Sequence, residues 1–361
     1  MKIKFLRAFN GDAIHISYKE GEKQRNIVID GGMPACYIQK NKKGKPEYGE
    51  LKSTIDEIQK RNEKIDLLIL THVDDDHIVG VLKWFEKDKE AHKLISEVWF
   101  NSGRLISAYF KEKECEENLL ELNQEDRDTL TSIGQGIKFE DYIDKSGIWS
   151  KKLIIAPSEI SCLGITFRIL SPSPDKLKLL LGKWEKEAPE SLETSGKKND
   201  YELTLLQHIE NDNFNEDTAI HNGSSIAFIL TFEKRNFVFL ADAHPTVIAN
   251  SLKGLGYSKE KPLKAELIKI SHHGSKANNS AEIFQLIETK KYIISTNGDK
   301  HDHPNKQLLA RLASINGNCE VFFNYPELIE KIFKSKDHED FPNFKPSALE
   351  RNEFTFKNDK N

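Results

Sequence analysis

Thr71-His72-Val73-Asp74-Asp75-Asp76-His77 follows directly on the apolar run Ile65 to Leu70 and runs into a second apolar-rich stretch, Ile78 to Phe85. Two imidazoles and three carboxylates are thereby concentrated between a strand and a helix. In an extended segment residues two apart share a face, so His72, Asp74 and Asp76 are expected to face one way and Val73 and Asp75 another. His77, at the turn into the helix, swings back to join the first group. Negative charge at a helix N-terminus is favoured by the dipole, but one aspartate suffices for that. Three carboxylates packed at one strand end repel each other unless a cation compensates them. The stretch therefore reads as a metal-ligand segment.

Working outward, three short strands are expected at Lys2 to Ala8, Ala13 to Tyr18 and Asn26 to Asp30, broken by Asn10-Gly11-Asp12 and by the polar residues Glu20 to Lys23. Leu51, Ile55 and Ile58 have helical spacing, which predicts a helix over Leu51 to Arg61 ahead of the Ile65 to Leu70 strand. Beyond the ligand segment a short helix is expected over Ile78 to Phe85 and a strand over Glu97 to Phe100. From Asn101 to Asn222 the pattern loosens. Helices are expected around Cys115 to Ile133 and Lys176 to Lys186, strands near Leu153 to Ala156 and Gly164 to Leu170, and an exposed loop over Glu190 to Asp200. Regular patterning returns with strands at Ser224 to Thr231 and Asn236 to Leu240, which read as a hairpin ending at Asp242. Two α/β units follow: a strand over Glu266 to Ile270 ending at His272 with a helix over Ala281 to Ile287, then a strand over Tyr292 to Ser295 with a helix over Pro304 to Ile315. The strand Cys319 to Phe323 closes the core. Together these elements predict one domain over residues 1–325, with an insertion at about 102–220, and a charged C-terminal extension over 326–361.

The 361 residues are 38% hydrophobic and 30% charged, enough apolar material for a core beneath a heavily charged surface. A formal net charge of −4 gives no global attraction to nucleic acid or to an anionic membrane, so any phosphate-binding surface has to be local. Cys36, Cys115, Cys162 and Cys319 are scattered and form no CxxC pair, so neither a zinc knuckle nor a disulfide framework is indicated. No run approaches the roughly 20 apolar residues that span a bilayer, and the alternating N-terminus lacks the form of a signal peptide. A cytoplasmic protein without a membrane partner is the resulting expectation.

The segment His72 to His77 resembles the HxHxDH signature of the metallo-β-lactamase superfamily, in the HxDxDH form of the nuclease-like domain of the competence protein ComEC. Further resemblances follow in order. Ile29-Asp30-Gly31-Gly32 is similar to the early strand-end aspartate motif, and Asn222-Gly223-Ser224-Ser225 to the Asn and Ser pattern before a core strand. Leu240-Ala241-Asp242 is similar to the GD motif, with Ala241 where the family commonly has Gly. Ser271-His272-His273-Gly274-Ser275 is similar to the HHGS motif, and Asn297-Gly298 with His303-Pro304 to the closing motif. The resemblance implies an α/β (α+β) fold, a four-layer αββα sandwich, and a dinuclear metal centre at a sheet edge.

Every candidate ligand lies just past the C-terminal end of an expected strand, where rigid backbone holds side chains in convergent geometry. On the resemblance, His72 and Asp74 are expected on a first metal, Asp76, His77 and one histidine of the His272-His273 pair, either of the two, on a second, with Asp242 as the bridging carboxylate. Asp30 is expected to orient a histidine rather than to bind metal. His244, His221 and His208 remain open as additional ligands. A carboxylate at Asp74 in place of imidazole hardens the first site, so two divalent ions, Zn2+ or Mn2+, are expected. Such a pair acidifies water and stabilises charge on attacked and leaving oxygens. Asp76 is expected in catalysis, with His303 or His301 orienting or protonating the leaving group and Ser275 and the Gly274 amide holding it. Basic residues near the motifs, Lys269, Lys276, Lys300 and Lys306, are candidates for a phosphate-attracting rim. The leading functional expectation is a nuclease or phosphodiesterase acting on nucleic acid or another phosphodiester. The alternatives are a lactonase or thioesterase acting on a small carbonyl substrate, and a metal-binding interaction module without turnover.

Overall fold

The computed structural model describes residues 1–110, 132–185 and 199–357 of the chain. The chain falls into two units, one of Met1–Ile154, Pro174–Glu193 and Asn352–Asn361, the other of Ile155–Ser173 and Thr194–Arg351. Each unit carries its own sheet.

The first unit holds a six-stranded sheet in the order Glu353–Thr355, Lys2–Phe5, Ile14–Glu20, Lys23–Ile29, Leu67–Ile69, Val98–Trp99. Its opening strands are antiparallel. Gly21, at φ 59°, supplies the left-handed turn that pairs Glu20 with Lys23. The helix Glu50–Lys60 buries Leu51, Ile55 and Ile58 and makes the crossover to Leu67–Ile69, which pairs in parallel with Ile27 to Ile29. Leu67, Leu68 and Ile69 are all buried, as the unbroken apolar run of an interior parallel strand requires.

After that strand the chain enters the helix Asp75–Lys87. Its first turns are docked on the end of the neighbouring strand. The Gly31 amide donates to the carbonyl of His77 at 2.8 Å, and the Gly80 amide donates to the carbonyl of Gly32 at 2.8 Å. The approach is so close that a Cβ on Gly80 would lie 1.9 Å from the Gly31 carbonyl oxygen. Backbone packed this tightly fixes where the helix begins, and with it the direction of His77.

The second unit holds an eight-stranded sheet in the order Phe344–Ala348, Cys319–Phe323, Lys291–Ile294, Leu267–Lys269, Arg235–Phe239, Ala227–Phe232, Ile165–Ser171, Ser158–Cys162. The strands from Phe344–Ala348 to Arg235–Phe239 are parallel and the remainder antiparallel. Glu233 and Lys234, at φ 49° and 65°, form the two-residue turn joining Phe232 to Arg235, a left-handed pair matched to the strand twist. Ile229, Val238, Ile268 and Ile294 from the sheet pack with Leu308 and Leu312 from the helix Lys306–Ile315 in one buried cluster.

Several sequence expectations change. The helix expected from Ile78 begins at Asp75, because consecutive carboxylates suit a helix N-terminus. The helix expected from Pro304 begins at Lys306. Residues 153–156 form no strand, and the edge pair is Ser158–Cys162 with Ile165–Ser171, so part of the expected 102–220 insertion belongs to the sheet. The segment 326–361, read as a charged extension, supplies the edge strands Phe344–Ala348 and Glu353–Thr355 to the two sheets. Their shortness and polar flanks hide them from a reading based on apolar runs. The helix expected around Cys115 and the Glu190 to Asp200 loop lie largely outside the described residues. Cys36 and Cys319 are buried free thiols, each pushed up to about 12 by burial. Among the described residues no helix is long and apolar enough to cross a membrane.

The Gly80 contact carries a stability prediction. Gly80→Ala should lower the unfolding free energy by at least about 1–3 kcal/mol through overpacking. Gly182→Ala, in the helix Pro174–Glu185 where a Cβ meets nothing within 4 Å, should be neutral or stabilising by up to about 1 kcal/mol. Urea titrations of both variants check this, and equal stabilities would refute the docking argument.

Candidate metal centre

In the first unit the donors are arranged around Asp30. Its carboxylate accepts from the Thr71 amide at 2.8 Å, the Thr71 hydroxyl at 2.7 Å and His77 Nδ1 at 2.8 Å. A carboxylate only accepts, so the proton of His77 sits on Nδ1 and its Nε2 carries the lone pair. That Nε2 lies 3.9 Å from Asp76 Oδ1, and His72 Nε2 lies 3.6 Å from Asp74 Oδ2. The two rings are 4.1 Å apart between centroids. Both imidazoles are buried, whereas the Asp74 and Asp76 side chains are 29% and 17% exposed. Ligand nitrogens inside and carboxylate oxygens toward the opening suit a site that a cation enters from solvent.

The alternation expected from His72 through Asp76 holds only as far as Asp74, the N-cap residue. Asp75 and Asp76 already lie in the helix. Asp75 is exposed and accepts from Gln135 Nε2 at 2.7 Å, so it stands apart from the donor set.

Two residues of this unit that the sequence reading treats only as a strand break belong with the donors. Asn10 Nδ2 donates to Asp76 Oδ2 at 3.0 Å. The Asp12 amide donates to the Asp76 carbonyl at 3.2 Å, and the buried Asp12 carboxylate and His77 offer donor atoms within 4.8 Å of each other. The turn lies directly on Asp76, since a Cβ on Gly11 would fall 1.8 Å from the Asp76 carbonyl oxygen. The available signal was Asn10-Gly11-Asp12 itself, polar residues beside a glycine between two apolar strands.

In the second unit Asp242 is the focus. It follows the strand Arg235–Phe239 and is 2% exposed. Ala241 takes φ 46°, the left-handed conformation that explains a preference for glycine there. His272 Nε2 and His273 Nε2 each lie 3.6 Å from Asp242 Oδ2. Their tautomers are fixed from behind. His273 Nδ1 donates to the Ser295 carbonyl at 3.1 Å. Asn278 Nδ2 donates to Asp217 Oδ2 at 2.8 Å and to the Asp242 carbonyl at 3.0 Å, which sets the amide so that its Oδ1 accepts from His272 Nδ1 at 2.9 Å. Both rings thus turn an Nε2 lone pair toward the same carboxylate oxygen. His272 and His273 achieve this with φ of 46° and 51°, consecutive left-handed residues of the strained kind found at functional sites.

Asp217 is the residue of this unit that the sequence reading misses. Burial raises its carboxyl, but the Ala219 amide and the side-chain amides of Asn222 and Asn278 outweigh this and hold it below the usual carboxylate range. Its Oδ2 lies 3.7 Å from His244 Nε2 and 3.9 Å from His272 Nδ1. Nothing periodic marks Asp217 in the polar stretch before His221. Of the other open histidines, His221 is buried in the short helix Ile220–Gly223, while His208 Nε2 donates to the Asp200 carbonyl at 2.8 Å and is thereby engaged.

His303 is buried with its ring 4.9 Å from that of His272. Burial first, then the neighbouring His272, His273 and His301, push its imidazole well below the ordinary histidine range, so the ring is neutral. His303 Nδ1 is enclosed and has no hydrogen-bond partner among the described residues. His301 is exposed. Ser275 Oγ accepts from the Ala277 amide at 3.2 Å and shapes the turn after His273. The expected basic rim is reduced, because Lys269 is buried against the Ile270 carbonyl and Lys306 is buried in a 2.6 Å pair with Asp337. Lys276 and Lys300 remain exposed.

Each unit therefore offers imidazole Nε2 lone pairs beside carboxylate oxygens, with Nδ1 tied to a protein acceptor on three of the rings. That is the donor set and the orienting shell that divalent transition-metal ions take.

Residues 16–140, a stretch that contains His72 to His77, match the family model described as Metallo-beta-lactamase superfamily. The chain is a mixed α/β protein in which that stretch, rather than the whole length, is similar to the superfamily model. No curated protein sequence matches it. Among solved structures it is similar to CmlA, a diiron beta-hydroxylase from Streptomyces venezuelae, at 11% identity and a TM-score of 0.43, covering 99% of this chain and 54% of that one. The chain thus spans about half the length of CmlA. It is also similar to the metallo-beta-lactamase fold protein YhfI from Bacillus subtilis, at 10% identity and a TM-score of 0.38, covering 96% of each chain.

The role of Asp30 is testable by binding alone. Asp30→Asn should leave the chain folded and weaken divalent-metal affinity by about 10–100-fold, the usual cost of losing a carboxylate behind a ligating histidine. Competition against a chromophoric chelator measures this. An affinity equal to that of the parent would show that Asp30 does not orient His77 for a metal.

Proposed function

We propose that the chain is a divalent-metal-dependent phosphodiesterase, with nucleic acid as the leading substrate class. The observation that carries the proposal is the fixed tautomer of His77, His272 and His273: each is held at Nδ1, and each points Nε2 beside an aspartate oxygen. In this reading His72, Asp74, Asp76 and His77 of the first unit and Asp242, His272 and His273 of the second are the residues that would hold the metal ions. Asp12 is added to the candidate donors.

Two cations held there supply acidification of water and charge neutralisation on a phosphate group. The residues of the chain do the rest. Asp30, Ser295 and Asn278 hold the rings in one tautomer. Asn10 fixes one oxygen of Asp76. Neutral His303 presents a ring nitrogen to a non-bridging or leaving oxygen. Asp74, standing where an imidazole is common, makes the donor set richer in oxygen, which favours hard ions and phosphate chemistry over the carbonyl chemistry of lactones and thioesters. Zn2+ and Mn2+ are the proposed ions.

Protein loaded with Mn2+ or Zn2+ should hydrolyse bis(p-nitrophenyl) phosphate and single-stranded DNA or RNA. Asp76→Ala and Asp242→Ala should each lose on the order of 10²–10³-fold in rate. Metal content measured on the same samples separates loss of metal from loss of chemistry. Turnover of a lactone or thioester without phosphodiester cleavage would replace this reading with the carbonyl hydrolase, and bound metal without turnover of any ester would leave a binding module.

A further inference from the structure

The second unit contains a cleft of about 390 Å³ at the edge opposite to its histidines. It is formed where the strands Arg235–Phe239, Leu267–Lys269 and Lys291–Ile294 begin, whereas Asp242 and His272 follow the ends of the first two. At about 3.3 Å per residue the two edges are on the order of 20 Å apart. Five cationic side chains line the cleft: Lys234, Arg235, Lys264, Lys290 and Lys291. Glu266 and Glu288 are its acidic members, which leaves a formal surplus of three positive charges in a chain whose net charge is −4.

The cations come from three separate segments that the fold ties together. Asn236 Nδ2 donates to the Lys264 carbonyl at 2.9 Å, and the Glu266 amide donates to the Asn236 carbonyl at 2.8 Å. The Ala265 amide donates to the Glu288 carbonyl at 2.9 Å, and the Glu320 amide to the Lys290 carbonyl at 2.8 Å. Lys264 and Glu288 are neighbours across the parallel pair Leu263–Lys264 and Ile287–Glu288. The cleft is therefore pre-formed, and its charges converge without an ordering cost to the backbone. A concave surface focuses the potential of such a cluster, and within a Debye length of about 8 Å several cations act on one ligand together.

We propose that this cleft is a binding site for phosphate groups, separate from the metal centre and independent of what that centre hydrolyses. The volume suits one or two nucleotide units, and the cluster chemistry suits several adjacent phosphates. Two sources offer that chemistry, a nucleic-acid strand and a free nucleoside triphosphate.

The test is binding of the full chain to a fluorescent phosphorothioate 12-mer, which resists cleavage, and to a fluorescent nucleoside triphosphate, across a salt series. Lys264→Gln/Lys290→Gln should weaken the bound probe by roughly 10-fold and reduce the slope of log affinity against log salt by about 0.7 per lysine for a single strand. Glu288→Gln should tighten it. Lys259→Gln/Lys345→Gln, exposed lysines elsewhere in the unit, should change neither. Loss confined to the 12-mer assigns the site to a strand, and loss with the triphosphate assigns it to nucleotides. Wild-type affinity in the cleft variant, equal loss in the control variant, or binding of neither probe would overturn the proposal. Because the readout is binding, a chain with no phosphodiesterase activity still answers it.

Discussion

The carboxylate of Asp30 joins three pieces of backbone that sequence keeps apart. It closes the end of one strand, accepts hydrogen bonds from the amide and hydroxyl of Thr71 at the end of the next, and accepts from the Nδ1–H of His77 in the first turn of the helix that follows. A buried carboxylate is tolerable only when its lone pairs are filled, so these partners are a condition of its burial as well as a consequence. Its own backbone is left-handed, at φ 56°, and the chain turns there directly into Gly31 and Gly32. Glycines at 31 and 80 then let the helix backbone approach the strand end closely enough for its first turn to be fixed. The direction of the His77 lone pair follows from that chain of contacts.

The second unit solves the same problem with amides instead of a carboxylate. Asn278 bonds to Asp217, to the Asp242 carbonyl and to His272, so one side chain sets a tautomer and holds two loops. Arg311 braces the arrangement from below. Its guanidinium binds Asp212 through Nε and Nη2 and donates to the carbonyls of Lys276 and Asn279. Such forked bonding suits arginine and would not be reproduced by lysine. The left-handed conformations of Ala241, His272 and His273 are held by this shell, which is how backbone strain persists at a site.

Long apolar elements and their order were legible in the sequence. Leu51, Ile55 and Ile58 marked a helix that is observed over Glu50–Lys60, and the strand Cys319–Phe323 was read to the residue. The metal-ligand segment was legible because it breaks the local rules: no helix start needs three aspartates flanked by two histidines. Short edge strands were not legible, since Phe344–Ala348 and Glu353–Thr355 are defined by partners rather than by apolar alternation of their own. The lysines at 269 and 306 read as surface charge until the fold buried one against a carbonyl and the other against Asp337.

The sequence alone determined the class of fold, the positions where strands end, and the donor types gathered at those ends. The class of fold is what the resemblance of the ordered motifs implies, and the strand ends and donor types follow from periodicity and composition, which are local. Tertiary structure decided which nitrogen of each ring is available, that Asp75 turns away toward Gln135, that Asp12 joins the donors, and that Asp217 stands behind His272. It also gathered the lysines at 264 and 290 into one cleft. Those outcomes depend on hydrogen bonds and packing between residues tens of positions apart, and no repeat along the chain encodes the partner on the far side of such a contact.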